Sequence, residues 1–75
     1  MKNPKRIFIS RLKALRRKLG WSQYRLAQES GLSREYLARL ELGQQDPTLG
    51  TMTRIAKAFG IQVVELLMHE TNKKR

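Results

Sequence analysis

The sequence predicts an all-α fold, a single compact domain of five short helices around a thin core. Three observations predict it. Apolar residues recur at three- and four-residue steps along most of the chain, and no segment alternates as a strand would. Gly20, Gly31, Gly43 and Gly60 each follow such a run, where a glycine ends a helix in the left-handed conformation. Finally, 75 residues with 40% apolar content allow one small core and no second domain.

The elements follow in order. Ile9, Leu12, Leu15 and Leu19 share one face of a first helix, expected from Ile7 to Leu19 with its cations mostly outward. Ser22 is placed to cap a second helix, Gln23 to Ser30, whose Leu26 and Ala27 turn inward. Leu32 plugs the turn, and Ser33 caps a third helix running from Arg34 to Leu42. So short a connection through Gly31 has the local chemistry of a helix-turn-helix. Gln44 to Pro47 reads as a polar loop, because Pro47 disfavours helix at Asp46. Thr48 caps a fourth helix with Leu49, Met52, Ile55, Ala56 and Phe59 as its buried stripe. Gly50 weakens its start, since glycine costs about 1 kcal/mol against alanine inside a helix. A fifth helix, Val63 to Met68, offers Val64 and Leu67 to the core, with Val63 as a further candidate. The expected organisation is a basic arm over residues 1–6, a folded domain over 7–69 and a disordered basic tail over 70–75.

Charge narrows the function classes. The net charge is +10, and no acid precedes Glu29. A field of that sign attracts polyanions, either nucleic acid or an anionic membrane surface, although solubilisation alone would also use it. The apolar run from Ile61 to Met68 is interrupted by Gln62 and Glu65 and is too short to span a bilayer, and the N-terminus lacks the apolar core of a secretory signal. A soluble protein that stays in the cytoplasm is expected. With no cysteine and a lone His69, expected at the surface, neither thiol chemistry nor a metal site is expected. No phosphate-binding glycine loop, acid pair or nucleophile–base set is present, so neither an enzyme nor a cofactor is expected. Trp21, just after the glycine stop of helix 1, is expected to fold back and pack.

The third helix carries the sharpest signal. At 3.6 residues per turn, Leu37 and Leu40 lie on its inner side, while Arg34, Glu35, Ala38, Arg39 and Leu42 fall within about 140° on the other. Such a helix fits a DNA major groove, where an arginine fork matches guanine and a glutamate accepts from cytosine. An ordinary solvated helix face would carry the same charges.

The run Trp21-Ser22-Gln23-Tyr24-Arg25-Leu26-Ala27, then Gly31-Leu32-Ser33, then Leu37-Ala38-Arg39-Leu40-Glu41-Leu42-Gly43 resembles the Cro/XRE family of lambda-repressor-like domains. Pro47-Thr48-Leu49, Ile55-Ala56-Lys57-Ala58-Phe59-Gly60 and Glu65-Leu66-Leu67 continue the pattern in order and spacing, so the likeness covers about Ile9 to Met68. The resemblance implies a helix-turn-helix made by helices 2 and 3 and a transcriptional regulator, expected to repress, that binds double-stranded DNA. By the same resemblance, Ser33, Arg34, Glu35 and Arg39 would read bases. Ser22, Gln23, Tyr36 and Gln44, with the loop from Gly43 to Gln45, would lie against the DNA backbone. Arg16 and Glu41 match a partly buried structural ion pair. Gly50 stands where the family often has glutamate, and Gln62 replaces a better cap before helix 5, a region that often carries a dimer contact.

A homodimer on a paired operator, built from Ile61, Val63, Leu66 or Met68, is therefore expected in a cytoplasmic, nucleoid-associated protein. The rival reading is an antitoxin or accessory factor whose main task is to bind a protein partner, with DNA binding used for autoregulation. A basic amphipathic membrane binder is a third.

Overall fold

The computed structural model describes residues 3–68, and these form five helices. They are α1 (Pro4–Lys18), α2 (Gln23–Ser30), α3 (Arg34–Glu41), α4 (Leu49–Phe59) and α5 (Val63–Leu67). No strand occurs among the described residues. None of their helices is long and apolar enough to cross a membrane. The expected tail and His69 lie outside the described residues.

Helix α1 starts three residues earlier than its apolar stripe suggested. Asn3 caps it, its side-chain oxygen accepting the Arg6 N–H at 2.8 Å, and Pro4 occupies the first turn, where its missing N–H costs nothing. Residues 4–6, expected in the arm, are therefore helical. Serine and threonine cap the next three helices as the sequence suggested. Ser22 accepts from Arg25, Ser33 from Tyr36 and Thr48 from Thr51, each near 3.0 Å.

The core gathers residues from all five helices: Phe8, Ile9 and Leu12 from α1, Leu26 from α2, Leu37 and Leu40 from α3, Ile55 and Ala56 from α4, and Leu66 from α5. Helix α1 packs on α3 and α5, α2 on α3 and α4, and α4 on α5. Leu49, Val64 and Leu66 depart from the expected apolar faces, and Phe8 joins the core beside them. Phe8, fully buried, precedes Leu12 by four residues and leads the inner stripe. Leu49, in the first turn of α4 and expected inside, is 71% exposed. Val64 points outward and Leu66 takes the core place. Leu66 is therefore unavailable for a subunit contact.

Two joints position the rest. Gly31 ends α2 with φ 76°, and a Cβ there would meet the Arg54 guanidinium at 3.1 Å, so glycine suits this turn on both backbone and space. At the end of α1, the Trp21 ring stacks on Phe59 with centroids 5.6 Å apart, and the Arg25 guanidinium lies 4.6 Å from its centre. Trp21 is a packing residue, as its place after a helix stop suggested.

Candidate nucleic-acid interface

Helix α3 exposes what its wheel promised. Leu37 and Leu40 are fully buried, whereas Arg34, Glu35 and Arg39 are exposed, with Ala38 half-buried between them. None of the three charged side chains has a hydrogen-bonded or ion-paired partner among the described residues. Their donors and acceptors are turned to solvent, as a base-reading set requires. The Ser33 hydroxyl oxygen accepts from the Tyr36 N–H at 3.0 Å, which leaves its own proton free to donate.

Behind this face lies a polar joint that ties α1, α2 and α3 together. The Arg16 guanidinium donates to both Glu41 carboxylate oxygens, at 2.7 and 2.9 Å, and through its third nitrogen to the Trp21 carbonyl at 2.8 Å. Gln23 Nε2 donates to Glu41 Oε1 at 3.1 Å. Burial alone would push the Glu41 carboxyl up, but the hydrogen bonds from Arg16 and Gln23, with the charges of Arg16 and Lys13, outweigh it and hold the group below its usual range. The Arg16 guanidinium is raised by its hydrogen bond to Glu41 against the cost of burial. A carboxylate only accepts, so the Gln23 amide must present its nitrogen to Glu41. That leaves a second N–H on the same nitrogen, beside the free backbone N–H groups that open α2.

The remaining candidate backbone residues cluster around α3. Ser22 caps α2. Tyr36 is half-buried, and its hydroxyl lies 3.4 Å from Thr51 Oγ1 at the start of α4. Gln44 is exposed, and its N–H closes the α3 terminus on the Arg39 carbonyl at 2.9 Å. Lys5 steadies this loop from α1, donating to the Gly43 carbonyl at 3.1 Å and pairing with Asp46 at 2.7 Å. Sequence reasoning missed both the Gln23–Glu41 bond and the Lys5 tether, which join residues far apart in the chain and leave no local signature. Before α5, where a weaker cap was expected at Gln62, its N–H donates to the Glu65 carboxylate at 3.1 Å, half of a capping box. No cluster of metal-ligating side chains occurs among the described residues.

Residues 12–66 match a family model described as helix-turn-helix. The chain is 41% identical over 61 residues to the immunity repressor protein of Bacillus phage phi105, a stretch covering 81% of this chain but 42% of that protein. It is 42% identical over 53 residues to an uncharacterised HTH-type transcriptional regulator of Sinorhizobium fredii, covering 71% of this chain and 69% of the relative. Among solved structures, the restriction-modification controller protein C.AhdI from Aeromonas hydrophila superposes with a TM-score of 0.76 and 40% identity, covering 80% of this chain and 91% of the other. A hypothetical transcription factor from Neisseria gives a TM-score of 0.82 at 27% identity, over 88% and 76% of the two chains. The chain thus spans less than half the length of the phage repressor.

Proposed function

Because this chain belongs to the helix-turn-helix family, matched over residues 12–66, we propose that it is a non-enzymatic, sequence-specific binder of double-stranded DNA that regulates transcription, in the sense of repression. Its site of action is the cytoplasm, at the nucleoid. The observation that carries the reading is the unpartnered set Arg34, Glu35 and Arg39 on a helix whose opposite side is fully buried. Helix α3 enters the major groove, where Ser33, Arg34, Glu35 and Arg39 face base edges. Ser22 and Gln23 at the start of α2, with Tyr36 and Gln44, hold the sugar-phosphate strands. The Arg16–Glu41 pair ties α1 to the end of α3, and the Gln23 amide joins α2 to the same carboxylate.

One such helix spans only a few base pairs, so the protein acts as a homodimer. Val64 and Met68, 58% and 51% exposed, supply apolar surface at α5 beside Ile61 and Val63. Half-site centres then lie about 34 Å apart, one turn of B-DNA. Selection of bound duplexes from a random pool tests the reading. A two-fold symmetric motif is the expected result, and Val64→Asp should weaken binding to the full site while sparing the half-site. Recovery of no motif would refute sequence reading, and one protein per duplex at saturation would refute the dimer.

A further inference from the structure

Among the described residues some cations are paired and others are not, and three of the unpaired ones mark a second surface. Lys5, Arg16 and Arg25 are paired, with Asp46, Glu41 and Glu29. Arg6, Lys13 and Arg17 have no hydrogen-bonded or salt-bridged side-chain partner among the described residues. At 100° per residue, these three and Ser10 fall within about 60° of one another on α1, opposite Phe8 and Leu12. They form a straight stripe about 16 Å long at 1.5 Å per residue.

The stripe is one wall of a shallow cleft of ≈ 530 Å³ whose other wall is the end of α3, namely Glu41, Leu42 and Gly43. The acid nearest it is spent. Glu41 is bound by Arg16 and Gln23, and beyond the cleft Asp46 is bound by Lys5. Leu42, 71% exposed, gives the rim an apolar edge that no core contact explains.

We propose that this cleft seats the sugar-phosphate backbone of a DNA strand flanking the bases read by α3. Arg6, Lys13 and Arg17 would meet phosphates, with Leu42 against deoxyribose. The assignment rests on the DNA-reading function proposed above and extends it beyond the helix-turn-helix itself. Two observations choose DNA over an acidic protein segment. The rim residue Leu42 lies on the same outward side of α3 as Arg34 and Arg39, so the reading face and the cleft share an edge. The cleft's three unpaired cations are also aligned along one wall, as a phosphate strand requires, and its apolar lining is confined to Ile9, Ala14 and Leu42, without the row of pockets that an amphipathic peptide would need.

The test uses the full chain and its triple variant Arg6→Gln/Lys13→Gln/Arg17→Gln, with circular dichroism to verify the fold. Both are titrated against the selected duplex, with and without added flanking base pairs, from 50 to 200 mM salt. Each phosphate contact contributes about 0.9 to the log–log salt slope, so losing three should flatten it by about 2.7. Over that fourfold range the variant should lose about 40-fold less affinity than the parent. Base preference should be unchanged, and the parent alone should gain affinity from added flanks. An unaltered slope with base preference intact would overturn the cleft assignment while leaving the reading role of α3 standing. The same unaltered slope, with polyglutamate binding lost in the variant, would assign the cleft to an acidic protein segment. Failure of the parent to bind any duplex would overturn both.

Discussion

Replacing Glu41 with alanine removes three hydrogen bonds, two from Arg16 at 2.7 and 2.9 Å and one from Gln23 at 3.1 Å. Arg16 keeps only the Trp21 carbonyl, at 2.8 Å, and its side chain is just 13% exposed. Breaking an enclosed pair from one side costs about 3–5 kcal/mol, because the surviving charge stays buried. The residual access of Arg16 to water, with the hydrogen bond it keeps to the Trp21 carbonyl, puts Glu41→Ala at the lower end, about 3 kcal/mol. A domain of this size has a stability of roughly 4–11 kcal/mol, so the loss is a large fraction of the total. Urea unfolding followed by Trp21 fluorescence and by circular dichroism measures it.

The same variant should change the pH profile. The folded Glu41 carboxyl is held below its usual range, so its contribution is complete above the unfolded pKa and disappears as pH falls through the folded one. The gap between parent and variant should therefore be full at pH 7 and narrow below about pH 4. A loss under about 0.5 kcal/mol at pH 7, or a gap that stays constant down to pH 3, would mean that the pair behaves as an ordinary surface contact.

Arg34→Ala or Arg39→Ala should weaken the preferred site by about 1–3 kcal/mol and relax preference at particular base pairs. Glu35→Gln should alter preference with no loss of non-specific affinity, since it removes a charge that phosphates repel, whereas Gln23→Ala should weaken all duplexes about equally. Titration against the selected site, its single-base variants and random duplex separates these, and uniform losses from the α3 variants would remove its role as reader. Gly50→Ala should stabilise the fold by up to about 1 kcal/mol. The new Cβ would lie 3.7 Å from Thr48 Oγ1, an ordinary contact. A lower urea midpoint in that variant would show that the start of α4 needs glycine for another reason.

What the sequence made legible was local. Ser22, Ser33 and Thr48 announce helix starts because a cap acts within three residues, and the inner face of α3 follows from Leu37 and Leu40 alone. The start of α1 was equally written, in Asn3 and Pro4, but an apolar stripe dates a helix from its first buried residue rather than from its cap. Helix α5 has five residues, too few for a period to say which of Val64 and Leu66 turns inward. The joint of Gln23 to Glu41 and the tether of Lys5 to Gly43 depend on packing across the whole fold, and composition carries no trace of them.

Helix α3 has only eight residues, and isolated helices shorter than about 12–15 residues are marginal in water. Its form is borrowed from Leu37 and Leu40, sealed in the core, and from the clasp on Glu41. To flex it would be to open the core. On the function proposed above, such an element would meet an operator as a stiff template, so accommodation would fall on side-chain rotamers and on the duplex. Sequences that curve toward the template at low elastic cost would then be favoured, even at base pairs no side chain reaches. On that proposal, a short helix held by the core would turn the mechanical softness of DNA into a second criterion of choice.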